Sequence, residues 1–181
     1  HNNNDYFAKI DLNEFLNETT FLQTQILFRI LKPFALSKEC ILDTIKQLKS
    51  PKQNIVQNIN PHLIMIKEYG YVIFTNQKIK DYYLKIDKEG HYELDNHTSL
   101  YITKNICNFI TSSGKLWYNI NRLPIIIRTR KNGDKIKTKN GSISVSDYLT
   151  NHKIPYLQRK QILLLCDKDD LPIAILGYII K

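Results

Sequence analysis

The chain has 181 residues, 43% of them hydrophobic and 24% charged, and a formal net charge of +9 at pH 7. This composition is typical of a soluble globular protein, and the length suffices for one large domain or two small ones. The longest nearly apolar run, residues 171–180, is about half of the 20 residues that a membrane-spanning helix needs, and no signal-peptide pattern follows the polar start. Three widely spaced cysteines argue against a disulfide framework and a zinc site, so a cytoplasmic protein is expected.

Residues 1 to about 50 are predicted to be helical. Thr19 or Thr20 caps a first helix with a 3.6-residue apolar period, and Pro33 bends or ends it. Ser37 caps a second helix, and Pro51 lies just past its end. The buried stripe of this second helix is predicted to consist of Ile41, Leu42, Ile45 and Leu48.

After residue 51 the apolar period changes to two, which predicts strands. One short helix, beginning near Ser144 or Ser146, interrupts them, and residues 68–70 suit a short hairpin turn. Helices followed by strands indicate an α+β protein, in which a small helical domain with a β-hairpin (1–76) precedes a mixed, mainly β domain (77–181). The predicted strands are 54–59, 62–67, 71–75, 82–86, 99–103, 123–127, 163–166 and 173–180.

Two kinds of site have little support in the sequence. Residues 112–115, Ser-Ser-Gly-Lys, lack the upstream glycine and the following Ser or Thr of a phosphate loop, so a surface turn is expected. The histidines have no i, i+4 pair and no nearby cysteine, and no metal site is predicted. His91 and His97 flank Glu93 and Asp95, which alternation places on one polar strand face. Residues 167–170, Asp-Lys-Asp-Asp, are interpreted as a β-turn between two apolar runs.

Positive charge is concentrated in one segment, residues 128–160. It holds nine Lys and Arg against two Asp, which leaves +7 of the total +9 in under a fifth of the chain. Clustered cations of this kind favour a polyanionic ligand. The nine are Arg128, Arg130, Lys131, Lys135, Lys137, Lys139, Lys153, Arg159 and Lys160.

Within this segment, Arg128 and Arg130 are two residues apart, so on a strand they face the same side and suit bidentate contacts with phosphate. Lys135, Lys137 and Lys139 repeat that spacing, and a turn at Gly133 and Asp134 separates the two runs. We expect Asp134 to orient an arginine or close the turn. The alternative for the lysines is a solvated hairpin edge.

The basic segment resembles the C-terminal domain of bacterial tRNA(Ile)-lysidine synthetases, which carries an R-x-R-x-x-G-D motif, a glycine, a short helix with an aromatic residue, an I-P pair and an arginine. The first 75 residues are similar to the middle domain of the same family, with two short helices and a segment that ends in Ile-Lys-Glu-Tyr-Gly at residues 66–70. The family's S-G-G-x-D-S loop does not occur in these 181 residues. The matching positions are Arg128, Arg130, Gly133, Asp134, Ile136, Gly141, Ser146 to Leu149, Lys153 to Pro155 and Arg159.

The resemblance implies a ligase that uses ATP to join lysine to C2 of the wobble cytidine of an isoleucine tRNA. It also implies a C-terminal fold shared with a domain of the phenylalanyl-tRNA synthetase β chain. ATP and Mg²⁺ would belong to a catalytic domain outside this chain, which by itself would hold no cofactor, no catalytic residue and no activity. The expected tRNA contacts are Arg128, Arg130, Lys131, Lys135, Lys137, Lys153 and Arg159, with Gly133, Asp134 and Gly141 shaping the turns.

Two other functions stay open at this point. The sheet could dock another protein or bind nucleic acid generically, with the lysines solvated. A hydrolase could use Ser144 or Ser146 with His152 and Asp147, although capping and turn roles explain these serines. Whether the protein forms a homodimer is also open.

Overall fold

A computed structural model describes residues 6–76, 80–95, 98–120, 122–138 and 141–178. The chain divides into two compact units, His1–Lys78 and Ile79–Lys181, which we call the N-terminal and C-terminal units. The predicted domain boundary falls after residue 76. Every strand pair in the described residues is antiparallel, and the helices are short, so the predicted α+β class is confirmed.

The N-terminal unit consists of a four-stranded sheet, in the order β1-β4-β3-β2, and short helices. Its strands are β1 (Ala8–Asp11), β2 (Ile55–Asn60), β3 (Leu63–Glu68) and β4 (Tyr71–Thr75). Its helices are α1 (Leu12–Asn17), α2 (Thr20–Ile30) and α3 (Lys38–Leu48), with a 3-10 turn at Lys32–Phe34.

Both predicted helices and their caps are confirmed. The side chains of Thr19 and Ser37 accept hydrogen bonds from the first turns of α2 and α3. Leu27 on α2 and Ile41 on α3 are fully buried in the core of this unit. Leu42 was wrongly predicted to be buried: it is 40% exposed, because it lies about 100° around the helix from Ile41.

The prediction that the first 50 residues are helical is wrong for β1. Ala8 to Asp11 pair with β4, from Ala8 opposite Phe74 to Asp11 opposite Tyr71. A strand of four residues carries too little periodicity to be recognised, and its partner lies about 60 residues further along the chain. The predicted hairpin turn is confirmed, since Tyr69 and Gly70 join β3 to β4 with φ values of 48° and 81°.

A buried lysine links the end of α3 to this sheet by hydrogen bonds. The Nζ atom of Lys67, on β3, donates to the backbone oxygens of Leu48 at 2.9 Å and of Ser50 at 2.6 Å. Carbonyl groups at the end of a helix lack intrahelical partners, so this ammonium group satisfies them where water has little access.

The C-terminal unit contains two four-stranded sheets, ordered β14-β13-β10-β5 and β6-β7-β8-β9, and a β11–β12 hairpin. The strands up to β10 are β5 (Tyr83–Ile86), β6 (Gly90–Asp95), β7 (Thr98–Thr103), β8 (Ile106–Thr111), β9 (Gly114–Asn119) and β10 (Ile125–Thr129). The later elements are β11 (Lys135–Thr138), β12 (Gly141–Ser144), α4 (Val145–Asn151), α5 (Tyr156–Gln161), β13 (Leu163–Cys166) and β14 (Pro172–Ile175).

Strand β10 lies at the centre of this unit and is buried on both faces. Ile125 and Ile127 join the core between the two four-stranded sheets. Ile126 points the other way, into a second core formed with the β11–β12 hairpin and α4. Cys107 and Cys166 lie in these two cores, and burial raises the pKa of each thiol to about 12, so neither is a reactive thiolate at neutral pH.

The structure of this unit differs from the predicted one at three places. The hairpin of β8 and β9 and the helix α5 were not predicted, because α5 has no side-chain cap and β9 alternates exposed with only half-buried residues. Strand β10 begins at residue 125 instead of 123, since Pro124 has no N–H for the ladder. Strand β14 ends at Ile175, short of the predicted end; residues 179–180 lie outside the described residues.

Candidate nucleic-acid interface

The loop after β10 is held by Asp134. Its Oδ2 atom accepts a hydrogen bond of 2.6 Å from the backbone N–H of Lys131, which closes the turn on itself. Gly133 has a φ of 87°, in the left-handed region that glycine adopts without strain. The backbone N–H of Val145 donates to the Asp134 carbonyl at 3.0 Å and so ties this loop to the start of α4.

Arg128 is buried, with a relative exposure of 2%. Its NH1 and NH2 atoms each donate to Asp134 at 2.9 Å, and its Nε donates to Asp170. Arg128 therefore does not present its guanidinium to solvent, as the predicted phosphate contact would require. The reason is that both faces of β10 are buried; Arg128 lies on the same face as Ile126, which packs against the β11–β12 hairpin and α4.

The charges around Arg128 compensate one another. Asp170 also accepts from Lys131 Nζ at 2.6 Å, so two cations meet two carboxylates. Burial raises the pKa of Asp134 and of Asp170, but hydrogen bonds from Arg128 and Lys131 outweigh it, and both carboxyl pKa values are lowered. The hydrogen bond to Asp134 raises the pKa of Arg128, whereas burial alone would lower it. We call these four side chains the Arg128 network.

Asp170 is the member of this network that the sequence did not indicate. The predicted β-turn at residues 167–170 is confirmed, because the Asp170 N–H donates to the Asp167 carbonyl at 3.1 Å. The contact with Arg128 depends on β13 pairing with β10, with Arg128 opposite Leu164. Only this long-range pairing brings the two turns together, and no local sequence signal reveals it.

The lysines of the β11–β12 hairpin face solvent. Lys135 and Lys137 are exposed, while Ile136 between them is buried in the second core. Ser144 lies opposite Lys135, and Ser142 lies opposite Lys137. Among the described residues, neither lysine has a carboxylate within 4.0 Å. Lys139 lies outside the described residues.

A second basic group surrounds α5. Arg130 donates from Nε to the Arg159 carbonyl at 3.0 Å, and Arg159 donates from NH1 to the Thr150 hydroxyl at 3.0 Å. The cationic groups of Arg159 and Lys160 lie 6.0 Å and 5.6 Å from the ring centre of Tyr156. Lys153 is exposed just beyond α4, with a φ of 54°. Tyr156 and Lys160 were not among the predicted site residues.

Helix α4 connects these two groups. Its N-cap, Ser144, lies opposite Lys135, and its last residue is two positions before Lys153. A seven-residue helix is about 10 Å long, so the hairpin and the α5 group lie at the two ends of α4 in the C-terminal unit. We call the cations of both groups together the basic surface; its members are Arg130, Lys135, Lys137, Lys153, Arg159 and Lys160.

The rival sites are not assembled. Ser144 caps the start of α4, accepting from the Asp147 N–H at 3.3 Å, whereas His152 stacks on Tyr148 beyond the other end of the helix. Residues 112 and 113 form the turn between β8 and β9. His91, Glu93 and Asp95 are exposed on one face of β6, as predicted; His97 lies outside the described residues. Across the described ranges, no group of three His, Cys, Asp or Glu side chains is placed to hold a metal ion.

No protein-family model matches the chain. The chain is 22% identical to a tRNA(Ile)-lysidine synthase from Clostridioides difficile (strain 630), over 181 aligned positions that cover 91% of this chain. The match spans 39% of that protein, well under half of its length. In the part of the chain that the structure describes, no helix combines the length and apolarity required to cross a membrane.

Proposed function

We propose that this chain is the tRNA-binding portion of a tRNA(Ile)-lysidine synthetase. Residues 1–76 would correspond to its middle domain, and residues 77–181 to a C-terminal domain of the phenylalanyl-tRNA synthetase β-chain type that holds the acceptor stem. The whole enzyme would join lysine to C2 of the wobble cytidine of an isoleucine tRNA in the cytoplasm. We assign ATP, Mg²⁺ and catalysis to a separate domain, and only tRNA binding to these 181 residues.

The observation that carries this proposal is the basic surface. Lys135 and Lys137 flank the buried Ile136 on β11, and Arg130 donates a hydrogen bond to the Arg159 carbonyl of α5. Contacts of this kind with phosphates position an RNA helix by shape, without reading its sequence. The distant likeness to a tRNA(Ile)-lysidine synthase over nearly the whole chain supports tRNA as the polyanion.

The structure shifts the expected contacts within this proposal. Arg128, the first residue of the sequence motif, and Lys131 are paired with Asp134 and Asp170. We therefore assign Arg128 to holding the loop in shape, and we assign phosphate binding to the basic surface. Lys160 joins the predicted contacts Arg130, Lys135, Lys137, Lys153 and Arg159.

The test is a titration of the chain with an isoleucine tRNA transcript at several salt concentrations. A tRNA held by four to six phosphate contacts should give a log–log slope of roughly −4 to −5, from about −0.9 per phosphate. Lys135→Glu with Lys137→Glu should weaken binding at least about tenfold and make the slope shallower by about two. The matched control is Lys85→Glu with Lys168→Glu, which changes the net charge equally at two exposed lysines of the same unit.

Three results would count against this function. No tRNA binding at low salt would remove it. An equal loss of affinity in the control pair would mean that net charge alone attracts the RNA. Equal affinity for tRNA and for a DNA duplex would favour the generic nucleic-acid alternative. Sedimentation of the chain with and without tRNA also tests the open homodimer.

A further inference from the structure

One face of the β6–β9 sheet carries an aromatic row that the basic surface does not include. His91, Tyr101, Asn108 and Trp117 lie directly opposite one another, one on each strand. Trp117 is 67% exposed and Tyr101 is 46% exposed. The neighbouring positions on these strands, such as Leu100 and Cys107, belong to the core, so this row lies on the outer face of the sheet.

Between the two exposed rings lies a buried amide that lacks a partner on one side. Asn108 is 7% exposed, and its Nδ2 donates to the Tyr101 carbonyl at 3.3 Å. The Tyr101 carbonyl can only accept a hydrogen bond, so the amide nitrogen of Asn108 must face it and the amide oxygen must point the other way. Its Oδ1 then has no hydrogen-bond partner among the described residues. A buried acceptor without a donor is destabilising, and such groups are rare unless a ligand or water completes them.

The spacing of the rings suits a flat ligand. Tyr101 and Trp117 stand on the strands at either side of β8, so their backbones are about 9.6 Å apart, twice the strand separation. A planar group held between two rings in van der Waals contact needs about 7–8 Å between the ring planes. A heterocycle inserted there would lie directly above the Asn108 amide.

A nearby positive charge indicates which chemical group the bound heterocycle carries. Lys115 Nζ lies 5.4 Å from the centre of the Trp117 ring, on the same exposed face of β9. An aromatic ring with an adjacent cation is the combination that binds unpaired nucleotides, in which a base stacks and its phosphate meets the cation.

We propose that Tyr101, Asn108 and Trp117 bind an unpaired base of an RNA strand, with Lys115 facing the adjoining phosphate. The two rings sandwich the base, and Asn108 Oδ1 accepts a hydrogen bond from its amino group. Adenine, cytosine and guanine carry such an exocyclic amino group, and uracil does not, so the site disfavours uracil. This inference rests on the proposed function only in that the ligand is an RNA.

Trp117 is the sole tryptophan of the chain and therefore reports directly on its own occupancy. Hexamers of cytidine, adenosine and uridine should be titrated into the full chain while tryptophan fluorescence is followed. Cytidine and adenosine hexamers should quench Trp117 at concentrations several-fold lower than the uridine hexamer. Absence of quenching by all three hexamers would overturn the proposal.

Variants are then compared by the anisotropy of a labelled cytidine hexamer. Trp117→Ala should weaken its binding about tenfold, whereas Trp117→Phe, which keeps a ring, should lose much less. Asn108→Ala should abolish the preference for cytidine over uridine. The matched control is Tyr83→Ala, which removes a ring that is 61% exposed on β5 and should leave binding unchanged. Thermal unfolding of each variant separates lost binding from lost folding.

Two outcomes separate this site from the proposed function. If tRNA binds with the expected salt dependence and no hexamer quenches Trp117, the aromatic site is overturned and the basic surface stands. If hexamers bind through Trp117 and tRNA does not bind, the proposed function fails and the base site stands. A blue shift of Trp117 emission that grows with protein concentration without RNA would instead indicate that a second copy covers this face, and would overturn the base site.

Discussion

The Arg128 network and the basic surface take their cations from the same segment of the sequence but differ in how these cations are buried and paired. In the network, Arg128 is buried and bonded to two carboxylates. On the basic surface, Lys135 and Lys137 are exposed, and only the residue between them is buried. Charge density along a sequence therefore does not identify the cations that meet a ligand. Strand periodicity and the positions of carboxylates decide which of them are available.

The largest expected effect comes from breaking the network. Asp134→Ala leaves a buried guanidinium with one carboxylate instead of two and opens the turn at Lys131. Removing one partner from a buried ion pair costs about 3–5 kcal/mol, so the free energy of unfolding should fall by about this amount. Denaturant unfolding measures it. Asp169→Ala, at an exposed surface pair, is the control and should change stability by less than about 1 kcal/mol.

The same carboxylates should make stability depend on pH. The pKa values of Asp134 and Asp170 are lowered in the folded chain, so their stabilising contribution is complete above the ordinary Asp value near 4 and is lost as the pH falls through the lowered values. Denaturant midpoints between pH 6 and pH 2 should therefore fall on acidification. In Asp170→Asn the denaturant midpoint should fall less steeply with pH than in the unaltered chain. An equally steep fall would contradict the idea that the carboxylates of the Arg128 network stabilise the fold.

Removing charge from the basic surface should have the opposite pattern of effects, with little change in stability and a clear loss of tRNA affinity. Lys135→Ala with Lys137→Ala should leave the free energy of unfolding within about 0.5 kcal/mol, since both side chains are exposed. tRNA affinity should fall about tenfold at low salt, with a salt dependence shallower by about two phosphates. If the double variant unfolded more easily but bound tRNA normally, the two lysines would serve stability and not RNA binding, which would contradict the role proposed for the basic surface.

The smallest effect is expected at Lys131, which is part of the network but exposed. Its side chain is 59% exposed and pairs with Asp170 at 2.6 Å. An exposed ion pair contributes about 0–1 kcal/mol, so Lys131→Ala should hardly change stability. Because Asp170 already neutralises this charge, tRNA affinity should fall less than in Lys135→Ala, measured in the same titration. An equal loss would mean that RNA displaces Asp170 from Lys131.

Local signals predicted a large part of this structure. The caps at Thr19, Ser37 and Ser144 and the strand at 71–75 agree with the sequence, because each depends on neighbouring residues. The pairing of β1 with β4 and the approach of Asp170 to Arg128 do not follow from any short segment. The aromatic row of the β6–β9 sheet was missed for the same reason, since β8 and β9 were not predicted and the row exists only through their register.

The double anchoring of Arg128 has a consequence for how the C-terminal unit meets a ligand. Its guanidinium links the loop after β10 to the turn after β13 through hydrogen bonds to Asp134 and Asp170, so the two segments are held together. A loop that is already ordered loses little conformational entropy when a partner binds. The loop that carries Arg130 is thus ordered before a ligand arrives, and under the proposed function tRNA would bind at an encounter rate set by long-range attraction, without waiting for this loop to fold.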